Sequence, residues 1–290
     1  MSDHPSPLRF MPALYVVATP LGNLGDITAR AVEVLRGAAT IAAEDTRHSQ
    51  RLLDALGIRT RLMALHEHNE QAAAGQVIRL LEAGEAVALI SDAGTPAVSD
   101  PGARAVRRVQ EAGFPVVPVP GPSALIAALS ASGLDTVGFR FVGFLPPKTA
   151  ARRAELTRLR GDQAALVFYE SPHRIEACLG DLAELMEPAR ELVVARELTK
   201  LHEQIVRMPV GDAPAWLAAD VNRARGEFVL ILSGAPPREG LDAEAERVLG
   251  LLLEVLPVKQ AARLASDITG APKNALYAHA LTLREGGSKG

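Results

Sequence analysis

The first half of the chain alternates short apolar, β-branched runs with longer amphipathic stretches. Residues 14–19 (LYVVAT), 40–43 (TIAA), 61–65 (RLMAL), 86–90 (AVALI) and 116–119 (VVPV) read as strands. Between and after them, 27–36, 46–56, 71–82, 101–112 and 122–131 have helical character, and Gly57, Gly84, Gly113 and Gly133 stand where helices would close. This alternation predicts a mostly parallel sheet covered on both faces. Such sheets take ligands beyond the C-terminal ends of their strands, so the strand-to-helix turns are the places to search.

From residue 139 the pattern changes. FVGF (141–144), ALVFYE (165–170), ELVVARE (191–197), EQIVRM (203–208) and EFVLIL (227–232) read as strands, with helices only near 150–159, 173–186 and 212–219. The runs 191–197 and 203–208 are too close for a crossover helix, so they should pair antiparallel in a mixed sheet. Residues 235–240 (APPREG) read as a linker. Beyond them, 242–256, 258–269 and 272–283 read as three amphipathic helices with helix-turn-helix spacing, either a small cap or oligomer contact or a nucleic-acid-docking appendage. The expected organisation is a loose leader (1–13), an N-terminal α/β domain (14–136), a second α/β domain (137–234) and a small helical domain (241–285).

Composition narrows the class. The chain has 290 residues, 48% of them hydrophobic, which suffices for a core without disulfides or structural metal. The single cysteine, Cys178, fits a reducing cytoplasm. No apolar run is long and clean enough to span a membrane. A net charge of −3 argues against a general DNA or RNA binder, though not against a local basic face aimed at one RNA site.

Three turns describe a cleft. In PLGNLGDIT (20–28), Gly22 and Gly25 let the backbone turn tightly, either as a plain strand-to-helix turn or to approach a ligand, with Asp26 or Thr28 free to cap the next helix; its glycines do not match the dinucleotide fingerprint. In SDAGTPAVSDPG (91–102), Ser99 or Asp100 is expected to cap a helix that Pro101 begins. That leaves Ser91, Asp92, Gly94 and Thr95 to meet a ligand, an acidic group there suiting a ribose hydroxyl or an amine. PGPSA (120–124) leaves the amides of Ser123 and Ala124 free, with Pro122 at the helix start. AAEDTRHSQ carries Glu44, Asp45, Arg47 and His48, with a Glu44–Arg47 ion pair as its plain reading. HEHNE carries His66, Glu67, His68, Asn69 and Glu70, with a capped, solvated loop as its plain reading. No metal is expected, because H-x-H with a distant third His lacks zincin spacing. YESPHR (169–174) and ARELTK (195–200) end strands with charge and can face the same cleft.

In order, ATPLGNLGDIT, AEDTRHS, HEHNE, SDAGTPAVSDPG, PGPSALIAALSASGL, GFLPPK, FYESPHR and ARELTKLHE resemble the bacterial ribosomal RNA small subunit methyltransferase I family. The resemblance covers residues 14–232 and continues more weakly into the tail. It implies the two-domain tetrapyrrole-methylase fold, a homodimer, and S-adenosylmethionine held by Leu21, Asp92, Thr95, Ser123, Ala124, Tyr169, Ala195 and Gly226. The implied reaction is methylation of a cytidine ribose 2′-hydroxyl in the decoding region of 16S rRNA, in the small ribosomal subunit. Glu44, Asp45 and His66 are then candidate bases, with Arg47, Arg196 and Lys200 as candidate cations. The basic stretch Arg140, Lys148, Arg152, Arg153, Arg158 and Arg160, together with Arg174, Arg196 and Lys200, is the candidate RNA contact, set against the plain reading of a solvated helix face. Rival readings are a same-fold methylase for a tetrapyrrole or a protein side chain, and a non-catalytic nucleotide sensor. One departure stands out: after EQIVR the family usually places a glycine, where this chain has Met208 and Pro209, so the edge strand is expected to end differently.

Overall fold

The computed structural model describes residues 11–135, 138–236, 241 and 243–287. Most of the expected leader, the break expected between 136 and 137, the middle of the linker and the last three residues lie outside them. The chain through Ala235 forms one compact unit, and the chain from Pro236 a second.

The first unit contains two five-stranded sheets. Strands β1 (Leu14–Val17), β2 (Thr40–Ala43), β3 (Arg61–Ala64), β4 (Val87–Ile90) and β5 (Val116–Val119) form an all-parallel sheet in the order β3-β2-β4-β1-β5. The residues of β2 and β4 are buried along their whole length, as apolar runs between two helix layers must be. Helices α1 (Ala29–Gly37) and α2 (Thr46–Ala55) bring Ala31, Val34, Leu35 and Leu53 to one face. Helices α3 (Glu70–Glu82) and α4 (Ala103–Glu111) bring Ala74, Val77, Leu81 and Val109 to the other.

The helix starts refine the expectations. Thr28 caps α1 as expected, its Oγ1 accepting from the Ala31 N–H. The expected cap of α4 by Ser99 or Asp100 is not formed. The helix begins at Ala103, and its free N–H groups are met by Glu70, a residue distant in sequence. Helix α5 (Ala124–Ser130) begins after Ser123 rather than at Pro122.

The second sheet runs β6-β7-β10-β8-β9, built from β6 (Phe139–Phe144), β7 (Ala165–Glu170), β8 (Glu191–Arg196), β9 (Gln204–Pro209) and β10 (Phe228–Leu232). Only β6 and β7 pair parallel, so the mixed sheet and the antiparallel β8–β9 pair stand as expected. The outer strand β9 continues through Met208 to Pro209, which lies opposite Glu191, so the Met-Pro departure falls at the last paired position. One face packs with α6 (Thr149–Leu159), α7 (Ile175–Leu185) and α8 (Ala213–Ala218). The other face packs Val167, Val193, Ala195 and Ile231 against Leu125 and Ala128 of α5. Helix α5 follows the last strand of the first sheet, so it binds the two sheets into one body and its start faces both.

In the second unit, α9 (Ala243–Leu253), α10 (Val258–Thr269) and α11 (Lys273–Gly287) bury Leu249, Ala261, Ala265, Leu276 and Ala280 among themselves. Gly270 ends α10 in the left-handed conformation that glycine adopts without steric cost.

Candidate functional site

The three turns at the C-terminal edge of the parallel sheet are tied to one another. Thr19 and Gly94 exchange backbone hydrogen bonds at 2.8 and 3.0 Å, joining the first turn to the second. The Thr95 hydroxyl donates to the Pro122 carbonyl at 3.1 Å, joining the second to the third. Asp92 Oδ1 accepts from the Asp45 N–H at 3.1 Å and holds the end of β2 beside them. From the second sheet, the Tyr169 hydroxyl accepts from the Leu125 N–H at the start of α5, also at 3.1 Å.

These ties enclose a cleft of about 390 Å³. Leu21, Asp92, Thr95, Ser123, Ala124, Tyr169 and Ala195 all line it, so seven of the eight residues singled out for a cofactor come together. Gly226 does not. It lies in a separate hollow with Arg196, Glu197 and Arg225, while its neighbours Glu227, Phe228 and Val229 reach the cleft. The reason is local: Gly226 has φ +93°, and a Cβ there would stand 2.4 Å from Glu197 Cγ. Its task is to let Glu197 pack close.

The charge of the lining is one-sided. Glu44, Asp92 and Asp100 line it with no ion-pair partner among the described residues; Glu170 and Glu227 also border it but are paired with Arg174 and Lys200, and no Lys or Arg is itself among the lining residues. Burial, with the negative charges of Asp92 and Asp100 beside it, holds the Glu44 carboxyl above the usual carboxylate range. Burial does the same for Asp100, and it lifts the Tyr169 phenol. Among the described residues, no group of three or more His, Cys, Asp or Glu is placed to hold a metal ion.

Of the three candidate bases, only Glu44 lines the cleft, and the candidate cation Arg47 does not. Asp45 caps α2, accepting from the N–H groups of Arg47 and His48 at 2.8 and 3.3 Å. Those bonds hold its carboxyl below the usual range and make it a weak base. Arg47 is 92% exposed, and its nearest carboxylate is Asp45 at 3.8 Å, so the Glu44–Arg47 pair is not formed. His66 is not part of the lining; its backbone N–H donates to Asn69 Oδ1 within the HEHNE turn. That turn is more than a solvated loop, because Glu70 is buried at its end.

The candidate RNA contacts need larger correction. Arg152 is 3% exposed, and its Nε donates to Asp181 at 2.6 Å. Arg153 clasps Glu184 in a bidentate pair and reaches Asp181. Arg140, Arg158 and Arg160 pair with Asp162, Glu155 and Glu187. Arg174 is held by Glu170 at 3.2 Å and by the Leu145 carbonyl. Arg196 donates to the carbonyls of Asn222 and Arg225 at 2.8 and 3.1 Å. Lys200 lies across Gly22, its ammonium between Glu197 at 2.9 Å and Glu227 at 2.8 Å. Each of these cations would have to lose a carboxylate or carbonyl partner before meeting a phosphate. Lys148 alone of the set stays exposed without a side-chain partner among the described residues.

Residues 13–214 match the family model of tetrapyrrole (corrin/porphyrin) methylases. Residues 239–284 match that of the RsmI C-terminal HTH domain. A Pseudomonas aeruginosa protein named ribosomal RNA small subunit methyltransferase I is 52% identical over 271 residues, covering 92% of this chain and 96% of its own. The chain belongs to the ribosomal RNA small subunit methyltransferase I family. Its relative of that name from Escherichia coli O157:H7 is 49% identical over 282 residues, 97% of this chain and 99% of the relative. Among solved structures, uroporphyrin-III-C-methyltransferase from Thermus thermophilus superposes with a TM-score of 0.56 at 22% identity, over 85% of this chain and 99% of that one. The methyltransferase CobJ gives 0.58 at 21% identity, over 78% and 96%. Similarity at that level concerns the fold, and this member of the ribosomal RNA small subunit methyltransferase I family has the tetrapyrrole-methylase fold.

Several lining residues had no place among the sequence-based candidates: Val98, Asp100, Phe144, Glu170, Leu198 and Glu227. Phe144, Glu170 and Leu198 stand at or just beyond a strand end within motifs already singled out, Val98 and Asp100 lie further along the 91–102 turn, and Glu227 immediately precedes β10 outside any of the motifs. Position at the C-terminal edge was the available signal; side-chain direction was not.

Proposed function

We propose that this protein transfers the methyl group of S-adenosylmethionine to the ribose 2′-hydroxyl of a cytidine in the decoding region of 16S rRNA, working as a cytoplasmic homodimer. The observation that carries the cofactor is the cleft itself, where Glu44, Asp92 and Asp100 stand together with no cation paired to them among the described residues. A field of one sign within low-dielectric walls attracts a ligand of the opposite sign, and the donor carries a sulfonium. A related T. thermophilus uroporphyrin-III C-methyltransferase was solved with S-adenosyl homocysteine, which fits this reading. The acceptor rests on the names that relatives half identical in sequence carry.

When bound, the donor supplies an activated methyl group. The protein's part is to orient and to manage one proton. Asp92 and Ser123 are placed to hold polar groups of the ligand, and Leu21, Ala124 and Ala195 to pack against it. As the hydroxyl oxygen gains carbon it must lose its proton. Glu44 is the lining carboxylate we assign to accept it, being a stronger base than an exposed carboxylate. Mass spectrometry of nucleosides from rRNA of a strain lacking the protein should show one 2′-O-methylated cytidine species reduced. An unchanged level overturns the acceptor, and transfer to uroporphyrinogen but not to small subunits would replace it.

A further inference from the structure

Aromatic residues are scarce here, with seven Phe, three Tyr and one Trp, yet Phe144 stands 52% exposed in the lining of the cleft. The backbone puts it there. In a regular strand, residues three apart face opposite sides of the sheet. The β6–β7 register shifts between Phe141 and Gly143, and this bulge brings Phe141 and Phe144 to the same side. Both meet Tyr169 edge-on, with ring centroids 4.9 and 5.8 Å away. Phe141 packs against the core, while Phe144 continues the aromatic row into water.

A second irregularity faces it from the parallel sheet. Val98 is 37% exposed and lies between Ala97 and Ser99, whose φ angles of +66° and +64° are strained for residues with a Cβ. The two segments meet: a Cβ on Gly143 would stand 3.2 Å from Ser99 Oγ. Val98 and Phe144 are the large apolar side chains of the lining that remain exposed.

We infer that Phe144 and Val98 form an apolar clamp for the base of the target nucleotide, the base stacking on the Phe144 ring. This rests on the RNA acceptor proposed above. A ribose hydroxyl must come within about 3–3.5 Å of the carbon it attacks, and because the donor cleft is recessed, a nucleotide drawn out of its stack reaches it best. Unstacked bases are held by aromatic faces. The carboxyl groups of Glu44, Asp92 and Asp100 disfavour a phosphate in the cleft, so the neutral face of the base is the part of a nucleotide that suits this wall.

The test compares the full-length wild type with Phe144→Leu and Phe144→Trp. Three quantities are measured: methyl transfer to small ribosomal subunits, donor affinity by calorimetry, and mass in solution by sedimentation. Phe144→Leu should lower kcat/KM for the subunit about tenfold to a hundredfold, with donor affinity and mass unchanged, and Phe144→Trp should keep most of the activity. Full activity in Phe144→Leu overturns the clamp. Donor affinity falling in step assigns Phe144 to the donor instead, and an altered mass assigns it to a protein interface. A wild type that binds donor but transfers nothing to the subunit refutes the RNA acceptor, and the clamp with it. Failure of the clamp alone leaves wild-type transfer intact.

Discussion

Glu70 Oε1 accepts the backbone N–H of Gly102 at 3.1 Å, and the same oxygen takes those of Arg104 and Ala105 at 2.7 and 3.1 Å. One carboxylate thus serves as the missing cap of α4 and fixes the far end of the 91–102 turn, whose near end lines the cleft. Charge-assisted bonds to a helix N-terminus are strong, and here they are buried. Glu70→Ala should cost about 2–3 kcal/mol in urea unfolding with the m-value unchanged, and should weaken donor binding. Wild-type donor affinity in the folded variant would separate the cap from the site.

The pH dependence follows from Glu44. Its folded-state pKa lies above its unfolded value, so the folded protein holds that proton to higher pH. Its contribution to stability falls as pH rises from the unfolded value through the folded one. Asp45 has the opposite sign: its stabilisation is present above the unfolded value and is lost as pH falls through the depressed folded value. For transfer, the rate should rise with pH across an acid limb above the usual carboxylate range. Asp92→Asn removes a negative neighbour and should move that limb to lower pH, besides weakening donor binding. A limb that stays in place, measured in single-turnover transfer, would remove Glu44 as the base.

Arg152 and Lys148 differ by four positions and should behave as opposites. Arg152→Ala leaves buried Asp181 with Arg153 as its remaining cation and should cost about 2–3 kcal/mol, with transfer per folded molecule little changed. Lys148→Ala should leave stability within about 0.5 kcal/mol. It should weaken RNA binding and reduce the slope of log K against log salt by about 0.7–0.9. Unfolding curves and salt titrations of RNA binding distinguish the two.

Gly226→Ala tests the hollow beside the cleft. The new Cβ meets Glu197 at a left-handed backbone position, and Glu197 also holds Lys200. The expected loss is about 2 kcal/mol or more. A variant with wild-type thermal unfolding would show that Glu197 moves aside freely.

What the sequence reveals here is what period and spacing encode. The parallel strands, the mixed second sheet, the three C-terminal helices and the turns of the cleft all follow from local patterns. Partners distant in sequence do not. Glu70 reaches α4 from 32 positions away, and Arg152 meets Asp181 across 29. Both look like surface charges until the fold is present. Asp45 was hidden differently: a carboxylate before a helix suits a cap and a base equally, and only the geometry chose.

The outer strands are each short, bulged or marked by proline. Pro118 lies in β5 and Pro209 ends β9; β6 carries the bulge, and β3 is four residues long and begins with Arg61. A strand broken in these ways cannot template another chain along its length. Each edge therefore offers a neighbour little unbroken ladder to pair with, which guards two open sheets in one chain against becoming the seed of a fibril.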